Sequence, residues 1–288
     1  MLEFIPQKFL KPILRLGTEN IEELRLRISS PALVKTNGKY LFLSPFGCSE
    51  KRGDGIVFTE KDSNELFSSL TEQSTYAFKE QIVKGYITRG GVRTGLTGRC
   101  VESSGKVGNL TDFTSYNIRI PHAIKGSADE LFEFFSKGAR NILLLSEPGA
   151  GKTTVLGDLA EQISSRLRKN ILIADERGEI FPLIKNKDFV DCISMCPKDY
   201  AFENGIRSMA PDVIVTDEIF GERDYLAVES AVRSGVNVIA SAHSRGVESF
   251  FSFKENEKYR NLFDCFAVLE NTGGKRKISV KRKDECGK

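Results

Sequence analysis

The sequence predicts a doubly wound α/β domain with a mostly parallel sheet, preceded by a smaller α+β domain. Apolar runs such as NILLL, PDVIVTDE and VNVIASAH are separated by segments with helical spacing. Near-continuous aliphatic runs of this kind are typical of parallel strands buried on both faces. A glycine-containing turn and a helix-like pattern follow the first run directly, as in folds that alternate strands and helices.

At 288 residues the chain is long enough for two domains. The composition changes near PHAIKGSADELFEFF, so we predict an N-terminal α+β domain over 1–122 and the α/β domain over 123–288. In the first domain, Thr59 is the expected N-cap of a helix, and YITRGGVRTGLTGRCVES indicates a bulged hairpin more than a phosphate-binding turn. Ser127 and Glu130 form a capping-box pattern for the helix that opens the second domain.

Composition and charge argue against several classes of protein. No apolar run is long enough for a membrane-spanning helix, and the N-terminal segment does not have the pattern of a signal peptide. We therefore expect a cytoplasmic protein whose six cysteines are free thiols. The net charge of +3 is too small to indicate nucleic-acid binding by itself.

A basic segment lies near the end of the chain. It consists of Lys275, Arg276, Lys277, Lys281, Arg282 and Lys283. A solvated strand pair or tail is the simpler interpretation of such a charge run, and contact with anionic lipid or a partner is the alternative.

The stretch LLLSEPGAGKTT predicts a phosphate-binding loop. It lies between a buried strand and a helix, where backbone amides and the helix N-terminus can face a phosphate group. Gly149 and Gly151 supply backbone freedom, Lys152 would reach the β- and γ-phosphates, and the Thr153 hydroxyl would bind Mg²⁺. The sequence therefore predicts ATP and Mg²⁺ as cofactors.

The strand PDVIVTDE ends in two adjacent carboxylates, Asp217 and Glu218. Successive strand residues face opposite ways, so one acid can bind Mg²⁺ while its neighbour faces the attacking water. We favour Asp217 as a metal ligand and Glu218 as the general base over an acidic cap at the strand end. A further strand, in ILIADERGEI, intervenes in sequence, which is typical of the additional-strand, catalytic-glutamate division of phosphate-loop ATPases.

Two further residues are candidate members of the catalytic site. His243 ends the strand VNVIASAH and could contact the γ-phosphate or the attacking water, or merely end a strand. Arg207 in IRSMAPD could compensate phosphate charge, although an ordinary surface arginine is almost as plausible.

Several motifs together resemble the stage III sporulation AA family of ATPases from endospore-forming bacteria. They are YAFKEQIVKGYIT, GVRTGLTGRCV, LTDFTSYNIRI, PGAGKTTVLGDLA, ADERGEI, CPK, IRSMAPDVIVTDEI and VIASAHS, and the resemblance spans about residues 19–270. It covers the segment before the phosphate loop, which generic ATPase motifs would not explain.

The resemblance implies a RecA-like phosphate-loop ATPase domain similar to the traffic ATPases of type II and type IV secretion. It assigns the nucleotide-binding loop to Glu147, Pro148, Gly149, Ala150, Gly151, Lys152, Thr153 and Thr154. It also assigns an intermediate acidic motif to Asp175, Glu176 and Arg177, which makes Glu176 a candidate catalytic residue, and a histidine motif to Ala242 and His243. The chain departs from the usual pattern at Ser146, Thr216 and Ser244.

The implied function is ATP hydrolysis that powers assembly of, or transport through, the channel between mother cell and forespore. The resemblance implies a homo-hexamer in the mother-cell cytoplasm, held at the membrane around the forespore through membrane-embedded partners. The sequence does not identify an arginine donated by a neighbouring subunit, for which Arg93, Arg99 and Arg119 are only candidates. Two alternatives remain open at this point: a nucleotide-gated assembly scaffold with little turnover, and a DNA-directed motor. No nucleic acid is expected as a partner, because the net charge is small.

Overall fold

The computed structural model describes residues 2–103, 106–272 and 275–285. The chain forms two compact units, Met1–His122 and Ala123–Lys288. The first unit contains helices α1 (Gln7–Leu16), α2 (Glu60–Leu70) and α3 (Lys79–Val83). Its strands are β1 (Glu23–Arg27), β2 (Ser30–Pro31), β3 (Leu33–Thr36), β4 (Lys39–Ser44), β5 (Gly47–Ser49), β6 (Val57–Phe58), β7 (Tyr86–Arg89), β8 (Val92–Ser103) and β9 (Lys106–Arg119).

Seven strands of the first unit form one antiparallel sheet in the order β5-β4-β3-β1-β9-β8-β7. The predicted N-cap at Thr59 is confirmed, because its hydroxyl accepts the Asp62 amide while the Asp62 carboxylate accepts the Thr59 amide. The predicted hairpin is confirmed as β7 and β8, and the bulge lies in the pairing of β8 with β9, where the register shifts beside Gly98. A side chain at Gly98 would lie 2.3 Å from the Thr111 carbonyl oxygen, so the bulge requires glycine there.

The second unit alternates strands and helices. Its strands are β10 (Ile142–Ser146), β11 (Ile171–Asp175), β12 (Val190–Ser194), β13 (Val213–Glu218), β14 (Asn237–His243), β15 (Cys265–Thr272) and β16 (Lys275–Arg282). Its helices are α4 (Asp129–Ser136), α5 (Lys152–Leu167), α6 (Lys198–Met209), α7 (Gly221–Arg233) and α8 (Val247–Phe251).

The strands of the second unit form a sheet in the order β12-β11-β13-β14-β10-β15-β16. All neighbours are parallel except the edge pair β15–β16. Apolar residues of α4 and α5 pack on one face, and those of α6, α7 and α8 pack on the other. The predicted doubly wound, mostly parallel fold is therefore confirmed, and the carboxyl ends of β10, β11, β13 and β14 meet at one edge of the sheet.

The strand of ILIADERGEI, β11, lies between β10 and β13 in sequence, as expected; in the sheet, β14 separates those two strands and β11 lies beyond β13. One expectation about the start of this unit is wrong. The side chain of Ser127 does not cap α4. Instead, the Asp158 carboxylate of α5 accepts the Ala128 amide at 2.9 Å and the Gly126 amide at 3.3 Å, so a tertiary contact replaces the local cap.

Candidate active site

The loop between β10 and α5 has the backbone of an anion-binding turn. Gly149 and Gly151 adopt φ angles of 79° and 104°, in the left-handed region that favours glycine. A β-carbon on Gly149 would meet nothing within 4 Å, so its backbone conformation, rather than space, explains the glycine there. Gly151 is the N-cap of α5, and the first amides of a helix have no partner within the helix. These amides and the helix dipole make the loop suitable for phosphate.

Three predicted site residues lie in one row of close polar contacts beside this loop. The Lys152 ammonium lies 2.7 Å from Nδ1 of His243, and Nε2 of His243 lies 3.0 Å from Oε2 of Glu218. The first contact is a hydrogen bond that Lys152 donates to an unprotonated Nδ1, and the second is a close contact between the ring and the carboxylate outside hydrogen-bond geometry. The row joins the phosphate loop to the ends of β13 and β14.

The register of the sheet produces this row. Ser146 at the end of β10 lies directly opposite His243 at the end of β14. An irregularity between Val215 and Glu218 in β13 places Glu218 opposite Ser241. A bulge of this kind changes where a side chain is aimed at a strand end. The three carboxyl ends thereby bring a lysine, an imidazole and a carboxylate together.

Two further charges act on this row. Burial lowers the pKa of Lys152, while the nearby Glu218 carboxylate acts in the opposite direction. Arg177, which follows β11, lies 3.4 Å from Oε2 of Glu218. The Glu218 carboxylate is therefore held between a guanidinium and an imidazole on one side of the phosphate loop.

Asp217 faces a different partner from its neighbour Glu218. Its carboxylate is buried, and the ammonium of Lys198 at the start of α6 lies 2.9 Å from its Oδ1. That contact lies outside hydrogen-bond geometry, and among the described residues neither carboxylate oxygen of Asp217 has a hydrogen bond. Burial raises the pKa of Asp217 to about 6, against the opposing effect of Lys198. A buried carboxylate with free acceptor positions fits the oxygen-ligand chemistry of Mg²⁺.

Lys198 is the centre of a charge cluster that the sequence motifs did not predict. Its side chain is only 5% exposed, and its ammonium lies 2.5 Å from Glu176, 2.9 Å from Asp217 and 4.0 Å from Asp224. Burial acts to lower the pKa of Lys198, but the three carboxylates together raise it. The only signal in the sequence was its position in CPK, directly after a proline that begins a helix.

The intermediate acidic motif does not act as a unit. Asp175 is buried and accepts the backbone amides of Glu179, Ile180 and Phe181 at 2.9–3.0 Å. Asp175 therefore shapes the turn after β11. Glu176, a predicted catalytic residue, pairs with Lys198 and is joined to the phosphate loop by no contact among the described residues.

Arg207 is not brought to the site. It lies in the last turn of α6, before the chain enters β13, and therefore at the sheet edge opposite the carboxyl ends. Its guanidinium is 76% exposed and pairs with Glu203 one helical turn away at 3.0 Å. The segment IRSMAPD is the end of a surface helix and the start of the following strand. The arginine that contacts Glu218 is Arg177.

The departures at Ser146 and Thr216 have structural roles. Ser146 is buried, and its hydroxyl donates to the Glu147 carbonyl at the start of the loop. Thr216 is buried in β13 and donates to the Ala174 carbonyl of β11 at 2.8 Å. Both hydroxyl groups donate a hydrogen bond to a backbone carbonyl oxygen at the sheet edge. Neither departure from the family pattern therefore disrupts the loop geometry.

A cavity of about 610 Å³ lies beside the phosphate loop. It is lined by Glu147, Pro148, Gly149, Ala150, Arg245, Leu269 and Glu270. Its volume falls within the usual range for small-molecule pockets. Arg245 and Glu147 form an ion pair of 2.8 Å at its rim.

A family model described as "Sporulation stage III, protein AA" matches residues 7–285. The chain belongs to this family. It is 34% identical over 274 residues to stage III sporulation protein AA of Bacillus subtilis (strain 168), covering 90% of this chain and 85% of that protein. The family resemblance predicted from the motifs is confirmed.

Solved structures of secretion and pilus ATPases share the fold of this stage III AA family member. The ATPase DotB of Legionella pneumophila has a TM-score of 0.59 at 16% identity, covering 96% of this chain and 81% of that chain. The pilus retraction motor PilT with bound ADP has a TM-score of 0.63 at 16% identity, covering 96% and 82%. The predicted RecA-like fold is confirmed.

Among the residues that the structure describes, no helix is long and apolar enough to cross a membrane. The same residues contain no group of three or more histidine, cysteine or acidic side chains placed to hold a metal ion.

We expect Asp217→Asn to raise the free energy of unfolding at pH 8 by up to about 2–3 kcal/mol, because each pKa unit corresponds to about 1.4 kcal/mol and Lys198 keeps Glu176 and Asp224 as counter-ions in the variant. The pKa of Asp217 is about 6 in the folded protein, against 3.8 for an unperturbed aspartate. The folded state keeps this proton to higher pH, so ionisation of Asp217 destabilises it above about pH 6.

The stability gain from Asp217→Asn should shrink as the pH falls from about 6 towards 4, where the wild-type carboxyl is already neutral. Urea denaturation at pH 8 and pH 4.5 measures both values. Asp191→Asn on β12, an exposed carboxylate, is the matched control. A variant less stable than the wild type at pH 8 would contradict the expectation.

Proposed function

We propose that this chain is a Mg²⁺-dependent ATP hydrolase of the secretion-ATPase type. The observation that carries the proposal is the row of close contacts among Lys152, His243 and Glu218 beside a loop with two left-handed glycines. A cation for phosphate and a carboxylate for a water proton are groups that phosphoryl transfer to water uses, and His243 lies between them. Family membership and the bound ADP of PilT support the same activity.

In this proposal the phosphate chain lies on the amides of the loop from Glu147 to Thr154. Lys152 leaves Nδ1 of His243 and donates to the β- and γ-phosphates. The Thr153 hydroxyl and the Asp217 carboxylate would hold Mg²⁺, which neutralises charge on the phosphates when bound. Both oxygens of Asp217 lack hydrogen bonds among the described residues, which supports this role.

The Glu218 carboxylate accepts the proton of the attacking water. Its Oε2 lies 3.0 Å from Nε2 of His243 and 3.4 Å from the Arg177 guanidinium. Since His243 contacts both Lys152 and Glu218, movement of Lys152 to a phosphate changes the surroundings of the base. His243 would thus couple nucleotide binding to hydrolysis.

The cellular role follows from the family. We propose that hydrolysis powers assembly of, or transport through, the channel between mother cell and forespore during sporulation. The working form would be a homo-hexamer in the mother-cell cytoplasm, attached to the membrane around the forespore through membrane-embedded partners. In this proposal the unit over 123–288 is the ATPase domain and the unit over 1–122 meets a neighbouring subunit.

Calorimetry with Mg·ATP tests the nucleotide site. We expect wild-type protein to bind with measurable heat, and Lys152→Ala to weaken binding by about 10- to 100-fold, because a charge-assisted bond to phosphate is lost. Lys169→Ala, which removes an exposed lysine paired with Asp212, is the matched control and should bind like the wild type. The ATPase proposal is wrong if the folded wild-type protein does not bind Mg·ATP.

A further inference from the structure

The edge strand β16 presents two different faces. Alternate residues of a strand point to opposite sides. Ile278 is buried and Val280 is partly buried against the cluster that contains the apolar residues of α4 and α5. Arg276 lies two residues before Ile278 and shares that face, whereas Lys277 and Lys281 lie on the other. The Lys281 ammonium accordingly contacts Glu248 of α8 at 2.7 Å.

Arg276 lies against the phosphate loop. A β-carbon built on Gly151 would lie 3.0 Å from both Cζ and Nη2 of Arg276 and 3.2 Å from its Nε. The guanidinium therefore covers the backbone of Gly151, the residue at which α5 begins. A β-carbon at position 151 would require the flexible guanidinium to shift by only a few tenths of an ångström, so the φ of 104° explains the glycine there.

The charge of Arg276 is available to a ligand. Its side chain is exposed, and within residues 2–103, 106–272 and 275–285 no carboxylate pairs with it. By contrast, Arg245 at the cavity rim is paired with Glu147, and Arg177 is paired with Glu218. The guanidinium of Arg276 thus lies beside the first backbone amides of α5, which have no partner within the helix. No carboxylate among the described residues compensates its charge.

We infer that Arg276 is a second phosphate-binding cation of this site, supplied by the same chain as the loop. The inference rests on the proposed nucleotide-binding function and adds a contact that no loop motif contains. A planar guanidinium can donate two parallel N–H bonds to phosphate oxygens, which an ammonium cannot do. Lying over Gly151, Arg276 would close the β16 side of the loop over the phosphate chain of a nucleoside triphosphate.

The test compares Arg276→Ala and Arg276→Lys with Lys277→Ala, the neighbouring cation on the opposite face. Calorimetry on the full chain measures the dissociation constants of a non-hydrolysable Mg·ATP analogue and of AMP. We expect Arg276→Ala to weaken triphosphate binding by about 10- to 100-fold, as for loss of a charge-assisted bond. Arg276→Lys should fall between, and Lys277→Ala should match the wild type. AMP binding should change less, because fewer phosphate oxygens are present.

The outcomes separate this inference from the proposed function. If the wild type binds the analogue and Arg276→Ala binds it equally well, Arg276 is not a phosphate ligand and the ATPase proposal stands. An equal loss in Arg276→Ala and Lys277→Ala also overturns the inference, because the effect is then general electrostatics. Failure of the wild type to bind overturns both. Thermal melting of each variant confirms that the exposed substitutions leave the fold intact.

Discussion

Replacing Glu218 by glutamine is expected to lower the rate of ATP hydrolysis by about 10²- to 10⁴-fold while nucleotide binding is kept, because a general base contributes a factor of that size. The amide has the shape of the carboxylate and fits the same space, which lies 3.0 Å from Nε2 of His243 in the wild type. What the variant loses is the ability to accept a proton from water. Phosphate release measures turnover, and calorimetry with Mg·ATP measures binding.

Glu222→Gln on α7 is the matched control for Glu218→Gln. Its carboxylate is exposed and pairs with Lys258 away from the phosphate loop, so this variant should hydrolyse ATP like the wild type. If Glu218→Gln hydrolyses ATP at the parental rate, the assignment of Glu218 as the base is wrong. Loss of binding together with turnover would instead assign Glu218 to the structure of the pocket.

Replacing Lys198 by methionine is expected to lower the free energy of unfolding by about 3–5 kcal/mol, the usual cost of removing one partner from a buried ion pair. The Lys198 side chain is 5% exposed, and its ammonium forms ion pairs with Glu176, Asp217 and Asp224. Methionine fills the same space without the charge, so the buried Asp217 carboxylate is left without its counter-ion. Urea denaturation at pH 8 measures the loss.

Lys169→Met is the matched control, since Lys169 forms an ion pair of 3.1 Å with Asp212 in which both side chains are substantially exposed. An exposed pair of this kind contributes about 0–1 kcal/mol. The double variant Lys198→Met with Asp217→Asn should recover part of the stability, because the uncompensated charge is removed. A loss in Lys198→Met no larger than in Lys169→Met contradicts the proposed role of the cluster.

Local patterns in the sequence predicted the parts of the site that neighbours along the chain determine. The conformation of Gly149 and Gly151 depends on their own backbone freedom and on the strand and helix directly beside them. Likewise, Asp217 and Glu218 end a run of buried β-branched residues, and adjacent strand residues diverge without help from the rest of the fold. Their observed partners, Lys198 for one and His243 for the other, agree with that divergence.

Long-range packing explains what the patterns missed. Arg207 was singled out because it precedes the acidic strand in sequence, but a residue before a strand lies at the opposite edge from a residue after it. Glu176 was assigned by motif, yet its carboxylate is held by Lys198, 22 positions further along the chain. Asp158 rather than Ser127 caps the start of α4 for the same reason, since a tertiary hydrogen bond competes successfully with a local one.

The amino-acid sequence by itself determined the fold class, the phosphate loop and the pair of acids, because each depends on hydrophobic periodicity and backbone freedom within a few residues. Only the tertiary structure decided which charges meet. Strand order brought β14 between β10 and β13, which joined Lys152, His243 and Glu218. Burial at the start of α6 made Lys198 a shared counter-ion, and the antiparallel pairing of β16 with β15 placed Arg276 over Gly151. Coulombic contacts depend on distance in space, which spacing along the chain does not specify.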